Sequence, residues 1–426
     1  MTSESPGRAR LDAVCTLVSE QLDPRRGPET LYVGLEHLQS GRIGRCGGGR
    51  STDVQSFKSA FRRGDVLYGK LRPYLDKAII ADADGVCTTE LLVLRPREGT
   101  DARFLVGLLH SAGFLQHAMS GITGVQHPRT SWQRIREFEF LAFSAAEQRA
   151  IGDIVGGIDR AITCCEETLD CLEALRRTAM RELFTCGSRG ELQKETEIGR
   201  IPESWTLKTV GQIAAVKGGK RLPRGIALAD RNTGQFYIRV TDFSDMSVRL
   251  QGLQFVPEAA KKAIARYTIA PEDVYISIAG TIGVVGQIPR ELDGANLTEN
   301  AAKVVVQDSN VRGRYLMYAL ASQASQSQIA QATAKNAQPK LALTRIEQIL
   351  VPVPCDGDEQ AQIIEILDAI GEKVSQRQRK RILLEELFRA LLNGLMTGEI
   401  SVSSVGAGAL GGPVLNTTAP TAEAAV

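Results

Sequence analysis

The side chains best suited to chemistry in this sequence are cations with polar and aromatic neighbours, gathered in four short runs. Lys70, Arg72 and Tyr74 lie in Gly69-Lys70-Leu71-Arg72-Pro73-Tyr74, and Arg129 and Arg134 flank Trp132. Lys217, Lys220, Arg221 and Arg224 occupy a glycine-rich, proline-containing loop, and Lys335, Asn336, Gln338 and Lys340 form the fourth run. Arginine and lysine bind phosphates and guanine edges, asparagine and glutamine match adenine, and aromatic rings pack on sugars or bases. The set therefore predicts contact with double-stranded DNA. The alternative at any single position is a cation that only solubilises an exposed loop.

Signatures of catalysis are missing from the same sequence. There is no Asn-Pro-Pro-aromatic or Asp-Pro-Pro-aromatic tetrad to hold an extruded base and no GxxxxGK[ST] loop to cradle a triphosphate. None of the 14 lysines has an acidic residue two positions earlier, so the paired acid and lysine of metal nucleases are absent. His37, His110, His117 and His127 lack metal-ligand spacing and read as plain surface or core histidines. The eight cysteines form no CxxC pair and read as reduced structural thiols. Gly47-Gly48-Gly49 and Gly218-Gly219 lack the strand-turn-helix setting of a phosphate loop and read as flexible loops. These absences predict a chain with no catalytic residues and no metal site of its own.

The elements that must position the basic runs are duplicated. Residues 147–185 align with 359–397 at a constant offset of 212, with identities that include Glu147/Glu359, Gln148/Gln360, Ile151/Ile363, Leu175/Leu387 and Leu183/Leu395. In the first copy Ile151, Val155, Ile158, Ile162, Cys165, Leu169 and Leu172 advance by fours and threes, a coiled-coil seam. Each copy is predicted as a helical arm, and 39 residues would extend to roughly 58 Å, the span of about 17 base pairs. Glu166, Glu167, Asp170 and Glu173 of the first arm complement Arg377, Arg379, Lys380 and Arg381 of the second, which favours pairing of the arms in either direction. Gly156-Gly157 and Gly371 weaken helix propensity and predict a kink or an interrupted seam.

Ahead of each arm the echoes are weaker but ordered. Gly64-Asp65-Val66-Leu67 matches Glu272-Asp273-Val274-Tyr275, Thr89-Glu90 matches Thr298-Glu299, and Phe104-Leu105 matches Tyr315-Leu316. Val86 to Leu94, Tyr237 to Val240 and Val274 to Ile278 read as strands, and 103–118 and 312–331 as helical stretches. The fold class is therefore mixed α/β, with two tandem globules separated by two long helices and an internal two-fold repeat. The divisions fall at 1–146 for the first globule, 147–186 for its arm, 187–200 for a linker, 201–357 for the second globule, 358–398 for its arm, and 399–426 for a disordered tail. With 426 residues and 43% hydrophobic residues, the chain can build two or three cores. A net charge of +2 leaves the nucleic-acid question to local clustering. No apolar run reaches the roughly 18 residues of a membrane span and no secretory leader is evident, so a soluble, cytoplasmic protein is expected.

The two Glu-Gln-initiated arms, ending in Glu182-Leu183-Phe184-Thr185 and Gly394-Leu395-Met396-Thr397, resemble the helical regions of type I restriction-modification specificity subunits. Tyr32-Val33-Gly34-Leu35-Glu36, Ile201-Pro202-Glu203-Ser204-Trp205 and Tyr237-Ile238-Arg239-Val240 extend the resemblance to about residue 400. The resemblance implies two target recognition domains, each reading one half of a split, asymmetric DNA site, with the arms packed antiparallel as a spacer. It implies two modification subunits that bring S-adenosylmethionine, and restriction subunits that bring ATP and magnesium, none of these cofactors being held by this chain. It supplies no residue code for base contacts. Recognition within a methylation-only complex, or a coiled-coil scaffold that binds only proteins, are the alternatives.

Overall fold

The structure is a computed structural model and describes residues 7–26, 28–120, 122, 126–333 and 340–402. The chain divides into two compact units, one holding residues up to Thr168 and from Arg377 onward, the other Leu169–Gln376. Each unit therefore contains one globule together with adjoining parts of both arms.

In the first unit an antiparallel sheet runs in the order Cys15–Val18, Leu91–Pro96, Val66–Gly69, Ala78–Ile80. Its central strands are apolar on both faces because both faces are covered. Val66, Tyr68 and Leu94 join the cluster formed with the helices Ala102–His110 and Ala112–Met119. Leu67, Leu91 and Val93, one residue out of phase, join Val33, Phe61 and Ile79 beneath a second sheet. That second sheet runs Gln21–Leu22, Lys58–Phe61, Gly85–Cys87, Leu31–Val33, Gly49–Arg50, with only the Gly85–Cys87 and Leu31–Val33 pair parallel.

The second unit repeats this construction. Its four-stranded sheet runs Ala214–Gly218, Ala301–Val306, Val274–Ser277, Val285–Gln287, with the same antiparallel pairings. Val274, Ile276, Ala302 and Val304 face the helices Gly313–Ala321 and Gln323–Thr333, while Tyr275 and Ala301 face Ile238 and Leu297. The smaller sheet, Gln254–Phe255, Phe236–Ile238, Asn296–Leu297, again has its parallel pair between the last two strands.

The apolar-run echo around Asp65 and Asp273 has a structural cause. The Asp65 carboxylate accepts the Arg62 amide at 2.8 Å, and Asp273 accepts the Ala270 amide at 3.0 Å, so each aspartate closes the turn that launches the central strand. Both are buried and matched by a cation, Arg95 in one unit and Lys303 in the other, each at 2.8 Å.

Several expected elements are subdivided. The run Val86 to Leu94 splits into Gly85–Cys87 and Leu91–Pro96, which belong to different sheets. Each long helical stretch breaks at a serine. The Ser111 hydroxyl donates to Leu108 O at 2.7 Å and accepts the Phe114 amide at 3.3 Å, and the Ser322 hydroxyl donates to Ala319 O at 2.7 Å. The expected linker 187–200 is folded, with Gln193–Thr196 paired to Gly199–Pro202 as a hairpin. The Ser188 amide donates to Glu359 at 3.0 Å. Disorder does not begin at 399, because Ile400 N donates to Gly394 O at 2.9 Å and Val402 packs on the first unit's core. Residues 403–426 lie outside the described residues.

The arms are the helices Ala145–Cys186 and Gly357–Thr397, continuous through Gly156-Gly157 and Gly371. The helical hydrogen bonding is not interrupted at these glycines, whose propensity cost is roughly 1 kcal/mol each. In the first unit Ile151 and Val155 near the start of the first arm share a cluster with Phe388, Leu392 and Met396 near the end of the second. In the second unit Leu183 and Phe184 from the first arm's end pack with Ile363 and Leu367 from the second arm's start. The pairing within each unit is antiparallel. The charges matched by sequence find other partners: Glu166 binds Arg42 at 2.6 Å, Glu173 lies 4.0 Å from Arg177, and Arg381 lies 3.6 Å from Glu385. Apolar packing therefore joins the arms, and the acidic and basic runs engage their own surroundings. No helix among the described residues is long and apolar enough to cross a membrane.

Candidate nucleic-acid interface

The first unit's site grows from the connection between strands Val66–Gly69 and Ala78–Ile80. Lys70 N donates to Glu90 O at 3.0 Å, and Lys70 O accepts Thr130 N at 3.0 Å. Leu71 and Arg129 form an antiparallel bridge, and Arg72 N donates to Pro128 O at 2.7 Å. Two chain segments far apart in sequence are thus laced into one platform that holds Lys70, Arg72, Tyr74 and Arg129 together. Arg72 and Asp76 adopt left-handed backbone conformations, at φ 51° and 49°, on either side of the short turn Pro73–Leu75. Non-glycine residues in this region carry strain, and such strain concentrates at functional loops. Tyr74 and Leu75 are left exposed at the tip.

Arg129 is gripped by Glu90, with contacts of 3.0 and 3.2 Å. Both groups keep part of their surface in solvent, so a phosphate could compete for the guanidinium. Trp132 and Arg134 stand apart from the platform, on the helix Trp132–Ile135 that Ser131 caps. Trp132 packs on the hydrophobic core, the Arg134 guanidinium donates to Ser120 Oγ, and Arg134 O accepts from His117 Nε2 at 2.9 Å.

The second unit builds the same platform with different side chains. Ala279 bridges Lys340, Leu341 N donates to Ile278 O at 2.9 Å, and Ile278 N donates to Asn300 O at 2.8 Å. Residue by residue, Ile278 stands for Lys70, Ala279 for Leu71, and Lys340 for Arg129. The register also corrects a sequence echo. Thr88 N donates to Val33 O and Thr298 N to Ile238 O, both at 3.0 Å, so Thr298 corresponds to Thr88 and Asn300 to Glu90. The Thr-Glu dipeptides had matched one residue out of step. The connecting loop here, residues 278–284, is Ile-Ala-Gly-Thr-Ile-Gly-Val with Gly280 and Gly283 at positive φ. It carries no cation, which is why a search for basic residues passes over it. Extending the Asp65/Asp273 alignment by five residues would have found it.

Lys340 also borders a concavity of about 540 Å³ with Gln328, Gln331, Arg345 and Gln348, donors and acceptors of the kind that match base edges. Lys335, Asn336 and Gln338 lie outside the described residues. The remaining cations form a separate cluster. Lys217 is the exposed residue of the strand Ala214–Gly218, beside a cleft of about 360 Å³ shared with Gly219, Arg266, Tyr267 and Lys303. The Lys220 ammonium and the Arg266 guanidinium lie 5.8 and 5.1 Å from the Tyr267 ring centre. Arg266 and Tyr267, absent from the sequence-based set, belong to this cluster; their Arg-Tyr adjacency was the available signal. Arg221 is held at 2.6 Å by Glu299, and Arg224 is exposed. Gly219 is no flexible hinge: a Cβ there would fall 2.1 Å from Thr298 O, so only glycine allows this close backbone approach.

Among the described residues no group of three or more histidine, cysteine or acidic side chains is arranged for a metal ion. The eight cysteines are unpaired. Burial pushes the Cys15 and Cys87 thiols up to about 12, whereas Cys46, Cys164, Cys171 and Cys355 are exposed and serve no core.

Residues 202–386 match the family model described as the type I restriction modification DNA specificity domain. The MjaVIII type I restriction enzyme specificity subunit of Methanocaldococcus jannaschii is 20% identical over 265 residues, covering 61% of each chain. The EcoDI counterpart from Escherichia coli is 23% identical over 225 residues, half of each chain. The chain thus spans half to three-fifths of the length of these relatives. Among solved structures, the type I restriction-modification S subunit from M. genitalium superposes with a TM-score of 0.60 at 16% identity, covering 93% of this chain and 97% of the other. A structure from a study of type I R-M complex assembly gives 0.55 at 19% identity, covering 92% and 98%. These superpositions establish that the fold is shared over nearly the whole chain.

Proposed function

We propose that this chain is a specificity subunit of a type I restriction-modification system, the non-catalytic, sequence-specific DNA-binding component of such a complex. The observation that carries the reading is one platform built twice with unlike side chains. Lys70, Arg72, Tyr74 and Arg129 furnish the first, and the Gly280-Thr281 loop with Lys340 the second. Identical frames with different surfaces suit a bipartite target whose halves differ, each domain reading one half. Arginine and lysine at the bridge position would engage phosphates or guanine, while exposed loop tips would enter the groove.

Catalysis would come from partners. Two modification subunits would dock on the arms, where Leu175, Ile382, Leu383 and Leu387 present exposed apolar surface, and would bring S-adenosylmethionine for methylation. Restriction subunits would add ATP and magnesium. The assembly would act in the cytoplasm, where the DNA is.

The test is an exchange of residues 1–145 for the corresponding part of another specificity subunit, followed by mapping of methylated bases in a host carrying the complex. One half-site should change while the other stays. A simultaneous change in both halves would refute the division of labour. Equilibrium binding of the assembled complex to duplex DNA should also weaken steeply with salt, and salt-independent binding would count against phosphate contact.

A further inference from the structure

His110 ends the helix Ala102–His110, with its side chain fully buried. Its Nδ1 lies 2.7 Å from Asp76 Oδ1 and its Nε2 lies 2.9 Å from Ala78 O. A carbonyl oxygen only accepts, and an ionised carboxylate only accepts, so both ring nitrogens must donate and the ring is an imidazolium. The helix C-terminus favours a cation at this position. Burial by itself would lower the histidine's affinity for its proton, but the Asp76 carboxylate overrides it and holds the group above the ordinary histidine range.

The partner of this cation is the hinge of the first platform. Asp76 closes the Pro73–Leu75 turn in a left-handed conformation, and its carbonyl accepts Gly41 N at 2.9 Å. The exposed end of the same loop is laced to residues 128–130 through Lys70 and Arg72. Two of the cations facing His110 from the other packed elements are matched by carboxylates. Arg42 lies between Asp159 and Glu166, at 2.8 and 2.6 Å, and Arg381 faces Glu385. Arg389 lines the same cavity, and Phe388 meets the imidazole edge-on. Among the described residues, the second unit has no such device. Its loop is closed by neutral bonds, from Ser277 Oγ to Thr281 O and from Gln326 Nε2 to Gly283 O, and alanine 321 occupies the place of His110 in the helix.

We infer that His110 is a positioning residue for the first domain: its Nε2–H anchors the ring on Ala78 O and its Nδ1–H fixes Asp76, and thereby the stance of Lys70, Arg72 and Tyr74 on DNA. This rests on the assignment of that loop to DNA reading. Because the histidine's proton affinity is raised on folding, both N–H bonds are made below the ordinary histidine range and one of them is given up as pH rises through the folded value. Recognition of one half-site alone should then depend on pH.

The experiment uses the complex assembled with its modification subunits and duplexes carrying the methylation-mapped site, with single mismatches in either half. Methylation rates are compared from about pH 6.5 to about pH 9. The wild type should lose about tenfold of its discrimination against first-half mismatches over this range, with second-half discrimination unchanged. His110→Gln, which keeps a single donor, should show low, flat first-half discrimination. Asp76→Asn should do the same and serves if the histidine variant does not fold. A flat wild-type profile, a glutamine variant that follows the wild type, or equal losses in both halves would overturn the inference. Lys70→Ala with Arg72→Ala separates the two readings. If that pair changes nothing, the loop is not a DNA-reading surface; if it weakens first-half recognition while His110→Gln does not, only the positioning role falls.

Discussion

The proposed DNA contact of Arg72 sets function against stability within one residue. Its left-handed backbone, at φ 51°, is a conformation that a β-carbon penalises by about 1–2 kcal/mol and glycine tolerates freely. Arg72→Gly relieves that strain but frees the unfolded chain by about 0.4–1 kcal/mol, so stability should be unchanged or rise by up to about 1.6 kcal/mol. DNA affinity should fall nonetheless, because a cation at the loop tip is gone. Denaturant unfolding beside DNA titration of the assembled complex measures both; a variant that loses stability and affinity together would show Arg72 to be a packing residue. Arg72 is a candidate from residue type alone, whereas its left-handed backbone is not legible in the sequence. Trp132 is the counter-case: its indole looks like a base-stacking group until the Ser131 cap turns the short helix and points the ring at the core.

At the scale of elements, the repeated Glu-Gln pair that opens each arm does two different jobs. Glu147 is exposed and closes a capping box with Ser144, accepting its amide at 2.8 Å and its hydroxyl at 2.7 Å. Glu359 is 1% exposed and accepts from Ser188 N and Trp205 Nε1, each at 3.0 Å, tying the segment after the first arm to the start of the second. Glu147→Ala should cost about 0.5–1 kcal/mol, as a lost surface cap does. Glu359→Ala should cost about 3 kcal/mol, since it strands a buried indole N–H and a backbone amide. Chemical denaturation of the two variants tests the ratio, and equal losses would contradict this distinction. The sequence repeat made the two glutamates look equivalent because it records helix periodicity, not tertiary partners. For the same reason the repeat fades ahead of the arms. The offset is 208 between Val66 and Val274, 210 between Leu91 and Ala301, and 211 between Phe104 and Tyr315, as insertions in loops accumulate. Strand pairs held by backbone hydrogen bonds survive such shifts, whereas dipeptide matches slip.

For the whole molecule, the helices Ala145–Cys186 and Gly357–Thr397 each contribute residues to both units, and the proposed function makes the arms the ruler of a split target. The first arm's seam repeats on a seven-residue pattern, so an insertion there preserves apolar packing only if it adds seven residues. The antiparallel pairing within each unit adds a second condition: lengthening one arm alone would pull its apolar positions out of register with the other. Seven residues inserted near the middle of both arms add about 10.5 Å of helix, close to three base pairs of duplex. The methylated sites in a host carrying this variant should therefore keep both half-site sequences and show a gap wider by about three base pairs. An unchanged gap would mean that something other than arm length sets the spacing. Insertion into the first arm alone should abolish methylation, and full activity there would show that the two arms are not read as a pair.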